Sequence, residues 1–251
     1  MNNDQLKSLS PMDVRTPRPT HLSDPFQEFA EEYLCEVLAK PDRTLEWSDY
    51  QNLLGPFLPA GTYEESVYFL PLAFEFTLTH PEDEIDLVSS LVWFSSEYAA
   101  RLAEDGLLES ARKRLRACFD YWTADFHVVH YDLAACRQKL WSIDHNDIVD
   151  HSQVVQEGMG DLVRFKAHRD LAESFYRSIA YHQGDPIRAA WFLELARLQV
   201  EGFKSPKDPV IQGLLTDPDL LTAAGAVVID KLLPHEPSPT YWKDAFATLG
   251  F

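Results

Sequence analysis

The sequence predicts an all-α fold: a single helical bundle around one long central helix, with an antiparallel helical hairpin in its C-terminal half. Three observations predict it. Apolar residues recur at helical spacing along most of the chain, the pattern of elements that bury one face. Prolines, glycines and short polar side chains fall where such elements would start and stop. One apolar run, Leu108, Ala111, Leu115, Cys118, Trp122, Phe126, Val129, Leu133, Cys136 and Leu140, continues with no proline or glycine to interrupt it.

Taken in order, residues 1–22 are polar, carry Pro11, Pro17 and Pro19, and show no apolar period, so they read as a disordered tail. Residues 23–251 read as a single helical domain, with a subdivision near 142–160 left open. The first helix holds Phe26, Phe29, Ala30, Tyr33, Leu34, Val37 and Leu38, with Ser23 or Asp24 as cap, Pro25 in its first turn and Pro41 beyond its end. A shorter helix around Trp47–Leu54 stops at Gly55 and Pro56. Thr62 and Glu65 then form a capping box before the run Val67 to Phe74. Pro71 lacks an amide hydrogen and is expected to kink or split that helix. Residues 74–79 alternate like a strand, but one short strand has no partner to pair with, and the segment is assigned to helix.

Thr79 or His80 caps the next helix, Pro81 opens it, and Glu82, Asp83, Glu84 and Asp86 occupy its first turns, where the helix dipole favours negative charge. Its buried stripe is Ile85, Val88, Leu91, Val92, Tyr98 and Leu102, and Gly106 ends it. The uninterrupted apolar run predicts a helix from about Leu107 to Trp141, roughly 50 Å long, as the spine of the bundle. After an irregular stretch, Ser142 to Asp150, helical spacing is strong from Asp161 to His182 through Leu162, Phe165, His168, Ala172, Phe175 and Ile179. Gly184-Asp185-Pro186 reads as stop, cap and first turn of a helix carrying Ile187, Ala190, Trp191, Leu193, Leu195 and Leu198. This hairpin looks like one unit of a tetratricopeptide-type array, but no repeat of it follows. Short helices around Val210–Leu215, Leu220–Leu233 and Thr240–Leu249 complete the chain.

With 251 residues, 45% apolar and 12% aromatic, the chain has the material for a substantial core. No stretch approaches the roughly 20 apolar residues of a membrane span, and Met1 to Leu22 lacks the apolar run of a signal peptide, which together predict a cytoplasmic protein. Cys35, Cys118 and Cys136 sit at apolar positions of helical patterns and match no CxxC spacing, so they read as reduced core residues. The formal charge of −18 comes from 40 acidic and 22 basic side chains, which disfavours nucleic acid and anionic membranes and favours a basic protein partner. Residues 62–109 hold eleven acids and one base, Arg101, and so −10 of that total.

Motifs for catalysis are missing. The ten glycines form no phosphate-cradling loop, and there is no G-x-S-x-G, no HExxH and no Glu-x-x-His, so no cofactor is expected. The densest set of ligand-type side chains is Asp125, His127, His130, Asp132, Asp144, His145, Asp147, Asp150 and His151. His127 and His130 could share one flank of a helix, and Asp147 and His151 another, a set able to hold a water-activating transition metal. The order matches no metal motif, so a metal-dependent hydrolase using His127, His130, His145, Asp147 and His151 is the alternative function. His168 and His182, on an apolar stripe, read as hydrogen-bonded core histidines. Glu75 is expected to reach solvent or an arginine. Arg112, Lys113, Arg114 and Arg116 are expected to neutralise nearby acids. Helix-dipole stabilisation explains Glu82, Asp83, Glu84 and Asp86, but not Glu97, Glu104, Asp105 and Glu109, so these eight carboxylates are the expected partner-binding residues.

The segment Gly61-Thr62-Tyr63-Glu64-Glu65-Ser66-Val67-Tyr68-Phe69-Leu70-Pro71-Leu72-Ala73-Phe74 resembles a stretch found in some small bacterial immunity proteins. The resemblance covers these residues alone. It implies a cytosolic, non-catalytic protein that blocks a cognate toxin by binding it, and it transfers no interface residue. The sequence thus predicts an acidic binding protein, with a hydrolase or a tetratricopeptide-like scaffold as the other readings.

Overall fold

The structure is a computed structural model that describes residues 12, 16–56, 59–79, 85–124, 126, 151–202, 206–235 and 239–251. Among them are thirteen α-helices and no strand: α1 Glu31–Ala39, α2 Trp47–Leu54, α3 Tyr63–Ser66, α4 Phe69–Thr79, α5 Ile85–Glu97, α6 Ala99–Glu104, α7 Leu108–Trp122, α8 His151–Arg164, α9 Arg169–Ala180, α10 Pro186–Val200, α11 Pro209–Leu215, α12 Pro218–Val227 and α13 Pro239–Leu249. The chain divides into two compact units. Unit 1 is Met1–Tyr121 with Phe165–His168, and unit 2 is Trp122–Arg164 with Arg169–Phe251.

In unit 1 the first helix starts later than its apolar period suggests. Asp24 Oδ2 accepts from the Phe29 amide at 2.9 Å, and Gln27 has a φ of 58°, so Asp24 closes a turn instead of capping a helix. Helix α1 begins only at Glu31, burying Leu34 and Val37. Residues 16–22, expected in the tail, make defined contacts: Leu22 is buried, and Arg18 pairs with Asp42. Cys35 is exposed, contrary to its expected place in the core, because the stripe of α1 runs through Leu34 and Val37 on the other flank. Cys118 is buried as expected, which pushes its thiol up to about 12; Cys136 lies outside the described residues.

The Thr62–Glu65 capping box forms. The Thr62 amide donates to Glu65 Oε2 at 2.9 Å, and Ser23 adds its own amide at 2.9 Å and its hydroxyl at 3.0 Å. Partial burial would raise the Glu65 pKa, but these donors outweigh it and hold the carboxyl below its ordinary value. The chain then splits at Val67 and Tyr68. Pro71 therefore sits at the third position of α4, where an amide would have no intrahelical acceptor in any case. Residues 74–79 are helical. Phe69, Leu70, Ala73, Phe74 and Thr77 are buried, and the Thr77 hydroxyl donates to Ala73 O at 2.9 Å, so tertiary burial overrides the local alternation.

Helix α2 packs on α4 and α5, with Val88, Leu91 and Val92 fully buried. Gly106, with φ of 71°, ends α6. The expected continuous spine from Leu107 to Trp141 is not what the described residues show. Helix α7 buries Ala111, Leu115 and Cys118 as its period requires, but it ends at Trp122, followed by a turn at Thr123 and Ala124. Phe126 stands outside helix, its ring centroid 5.3 Å from that of Trp191 and 5.4 Å from that of Trp242. One apolar period thus serves two cores in succession, so its unbroken spacing overstates the length of the helix. The remainder of the expected spine, residues 127–141, lies outside the described residues.

Unit 2 is organised on α10. From Ala189 to Ala196 every residue is buried, and α8, α9, α11, α12 and α13 all pack on this helix. A helix buried on all its faces belongs in a core, and within unit 2 α10 is that helix, with Glu194 its one buried charge. The stop, cap and first turn at Gly184-Asp185-Pro186 form as expected: Gly184 has φ of 81°, and Asp185 accepts from the amides of Ile187 at 2.9 Å and Arg188 at 3.3 Å. Asp208-Pro209 and Asp217-Pro218 start α11 and α12 in the same way. The helix expected from Asp161 to His182 is interrupted at Phe165, and Lys166–His168 form a single tight turn that belongs to unit 1.

Candidate acidic interface

The expected partner-binding residues fall into two groups. Glu82, Asp83 and Glu84 lie outside the described residues, and for Asp86 only the backbone, in the first turn of α5, is described. Glu97, Glu104, Asp105 and Glu109 are described, and all four are exposed, from the end of α5 through α6 to the start of α7.

Arginines neutralise part of this window, and a tyrosine hydrogen-bonds another part of it. Asp105 accepts from the Tyr63 hydroxyl at 2.5 Å, and Glu109 lies 3.7 Å from Arg112. Arg101 pairs with Glu64 while its guanidinium stacks 4.1 Å from the centroid of the Tyr63 ring. The Arg101 hydrogen bond is the main reason the Glu64 pKa lies below its ordinary value. Glu75 does both things expected of it: half exposed, it also accepts from Arg114 Nη1 at 2.7 Å. Arg114 is itself buried, so the basic run partly neutralises acids internally, as its spacing suggests. Glu97 and Glu104 have no ion-pair partner among the described residues.

A second acidic surface, missed in the sequence, lies on α1. Glu31, Glu32 and Glu36 on the helix and Glu28 just before it are exposed, and none has an ion-pair partner among the described residues. Glu32 and Glu36 are one turn apart and repel each other, so the burial of Leu34 and Val37 must hold α1 against that cost. The signal was present: residues 24–39 contain five acids and no base. It was overshadowed by the larger excess between 62 and 109.

The histidines divide likewise. His127, His130, His145 and Asp147 lie outside the described residues, and of His151 only the backbone, at the start of α8, is described. No group of three or more metal-type side chains is gathered among the described residues. His168 is buried in unit 1 with Nε2 2.8 Å from Ser95 Oγ, whose hydroxyl also reaches Leu91 O at 2.6 Å. His182 Nδ1 accepts from the Gly184 amide at 3.1 Å, and burial lowers its pKa against the pull of Asp185. Both are hydrogen-bonded core histidines, as their positions on an apolar stripe imply.

The fold and this surface define an all-α protein whose first unit displays unneutralised carboxylates. No described helix is long and apolar enough to cross a membrane. Comparison with protein-family models, curated proteins and solved structures finds no match to this chain.

Proposed function

We propose that the chain is a non-catalytic binding protein whose acidic surface recruits a basic protein. The observation that supports this is the set of exposed carboxylates in unit 1 left without ion-pair partners among the described residues: Glu31, Glu32 and Glu36 on α1, Glu28 just before it, and Glu97 and Glu104 on two other helices. Internal pairing accounts for Glu64, Glu75 and Glu109 but not for these. Uncompensated negative charge destabilises a compact chain by self-repulsion, and its benefit comes when a positive surface approaches.

The test uses a partner copurified from native cells. Its association rate should fall about tenfold as salt rises from roughly 0.05 to 0.5 M, and the slope should flatten in the variant Glu31→Lys, Glu32→Lys, Glu36→Lys. An association rate indifferent to salt would remove the reading. Neutralisation of a basic toxin is the narrower form of the same proposal. It requires that the partner be toxic when produced alone and harmless when produced with this chain.

A further inference from the structure

Beside the acidic surface of α1, unit 1 contains a cradle built for a guanidinium, at present filled by a residue of the same chain. Arg18 Nη2 donates to Lys40 O at 2.5 Å and to Val37 O at 3.3 Å, two carbonyls at the C-terminal end of α1 that no further helical amide satisfies. Arg18 Nη1 donates to Asp42 Oδ1. The other oxygen of Asp42 accepts from the Tyr68 hydroxyl at 2.6 Å, which fixes the carboxylate in place. The Arg18 guanidinium carbon lies 5.9 Å from the ring centroids of both Tyr68 and Phe69. A carboxylate, two helix-end carbonyls and two aromatic rings match the planar, multi-donor fork of arginine and suit the compact ammonium of lysine poorly.

The resident arginine does not use this cradle fully. Its Nε is buried without a hydrogen-bond partner among the described residues, an arrangement that leaves a desolvated donor unsatisfied by them. Arg18 lies on a segment held downstream by buried Leu22 and by His21 and Ser23 at Glu65, whereas its neighbours Pro17 and Thr20 are exposed. We propose that the cradle of Val37, Lys40, Asp42, Tyr68 and Phe69 is an arginine-recognition site, with Arg18 as an internal occupant that a partner's arginine displaces. The inference deepens the reading of a basic partner: it names the side chain that is recognised and the place where it docks. A tethered Arg18 competes from within, so the affinity seen by any outside arginine is reduced by the fraction of sites left open.

The experiment titrates the full chain with the peptide acetyl-Gly-Arg-Gly-amide by calorimetry, with acetyl-Gly-Lys-Gly-amide as comparison. Arg18→Ala should bind the arginine peptide about tenfold more tightly than the native chain, and should prefer it about fivefold over the lysine peptide. Adding Asp42→Asn to Arg18→Ala should cancel the gain. Because Arg18→Ala leaves Asp42 without its cation and could unfold, Arg18→Gln, which retains a donor for that carboxylate, is titrated in parallel. Equal affinity of the native chain and the folded variants, or equal affinity for the two peptides, would overturn the site. That failure is separable from failure of the acidic-surface reading, which is decided by the salt dependence of partner association and not by these peptides.

Discussion

Glu194 shows how a single buried charge is tolerated. It sits on α10 with 3% of its side chain exposed and is gripped by Arg197, with Nε–Oε2 at 2.8 Å and Nη2–Oε1 at 2.7 Å. The Tyr241 hydroxyl of α13 donates to the same carboxylate. Removing Glu194 would leave the Arg197 cation largely buried with Glu201, 2.6 Å away, as its one carboxylate partner among the described residues. Glu194→Ala should therefore destabilise the protein by about 3 kcal/mol in urea unfolding. The exposed pair Glu173–Arg177, with a similar 2.8 Å contact, is the control, since Glu173→Ala should change stability by less than about 0.5 kcal/mol. Equal effects from the two would mean that burial does not decide the strength of these pairs.

At the scale of elements, unit 2 starts three helices with an Asp-Pro dipeptide, and the three aspartates are not equivalent. Asp185 and Asp217 each accept two amides. Asp208 does the same while almost fully buried, and it also holds Arg169 at 2.7 Å. Asp185→Ala should cost about 1 kcal/mol, the ordinary loss of a cap. Asp208→Ala should cost about 2 kcal/mol, because it leaves desolvated amides without an acceptor, while half-exposed Arg169 returns to water. Comparative thermal unfolding measures the difference. The sequence shows all three dipeptides; it does not show that only one of them is buried.

For the whole molecule, residues 165–168 form part of unit 1 although their neighbours on both sides belong to unit 2. His168 at Ser95, together with Arg112 Nη1 donating to Ala167 O at 2.5 Å, fixes that segment in the first unit. His168→Ala should therefore speed amide hydrogen exchange in α5 about tenfold or more, with α10 and α12 affected much less. The opposite pattern would place the segment's stabilising contacts in unit 2.

Helical character, the Thr62–Glu65 box, the stop at Gly106 and the Gly184-Asp185-Pro186 corner were all legible in the sequence, because each depends on a few neighbouring residues and on backbone geometry. That Glu75 would reach solvent or an arginine was legible too, but the choice of Arg114, 39 residues away, was not. Tertiary structure alone decided where the apolar period beginning at Leu108 stops being one helix, since Phe126 satisfies the same spacing whether it continues α7 or packs on Trp191 and Trp242. It likewise decided that α10 is central to unit 2, that His168 serves the first unit, and that Arg18 finds a carboxylate, two carbonyls and two rings around it. Spacing records that a side chain must be buried or paired. The partner that buries or pairs it comes from distant parts of the chain, and only the folded arrangement identifies it.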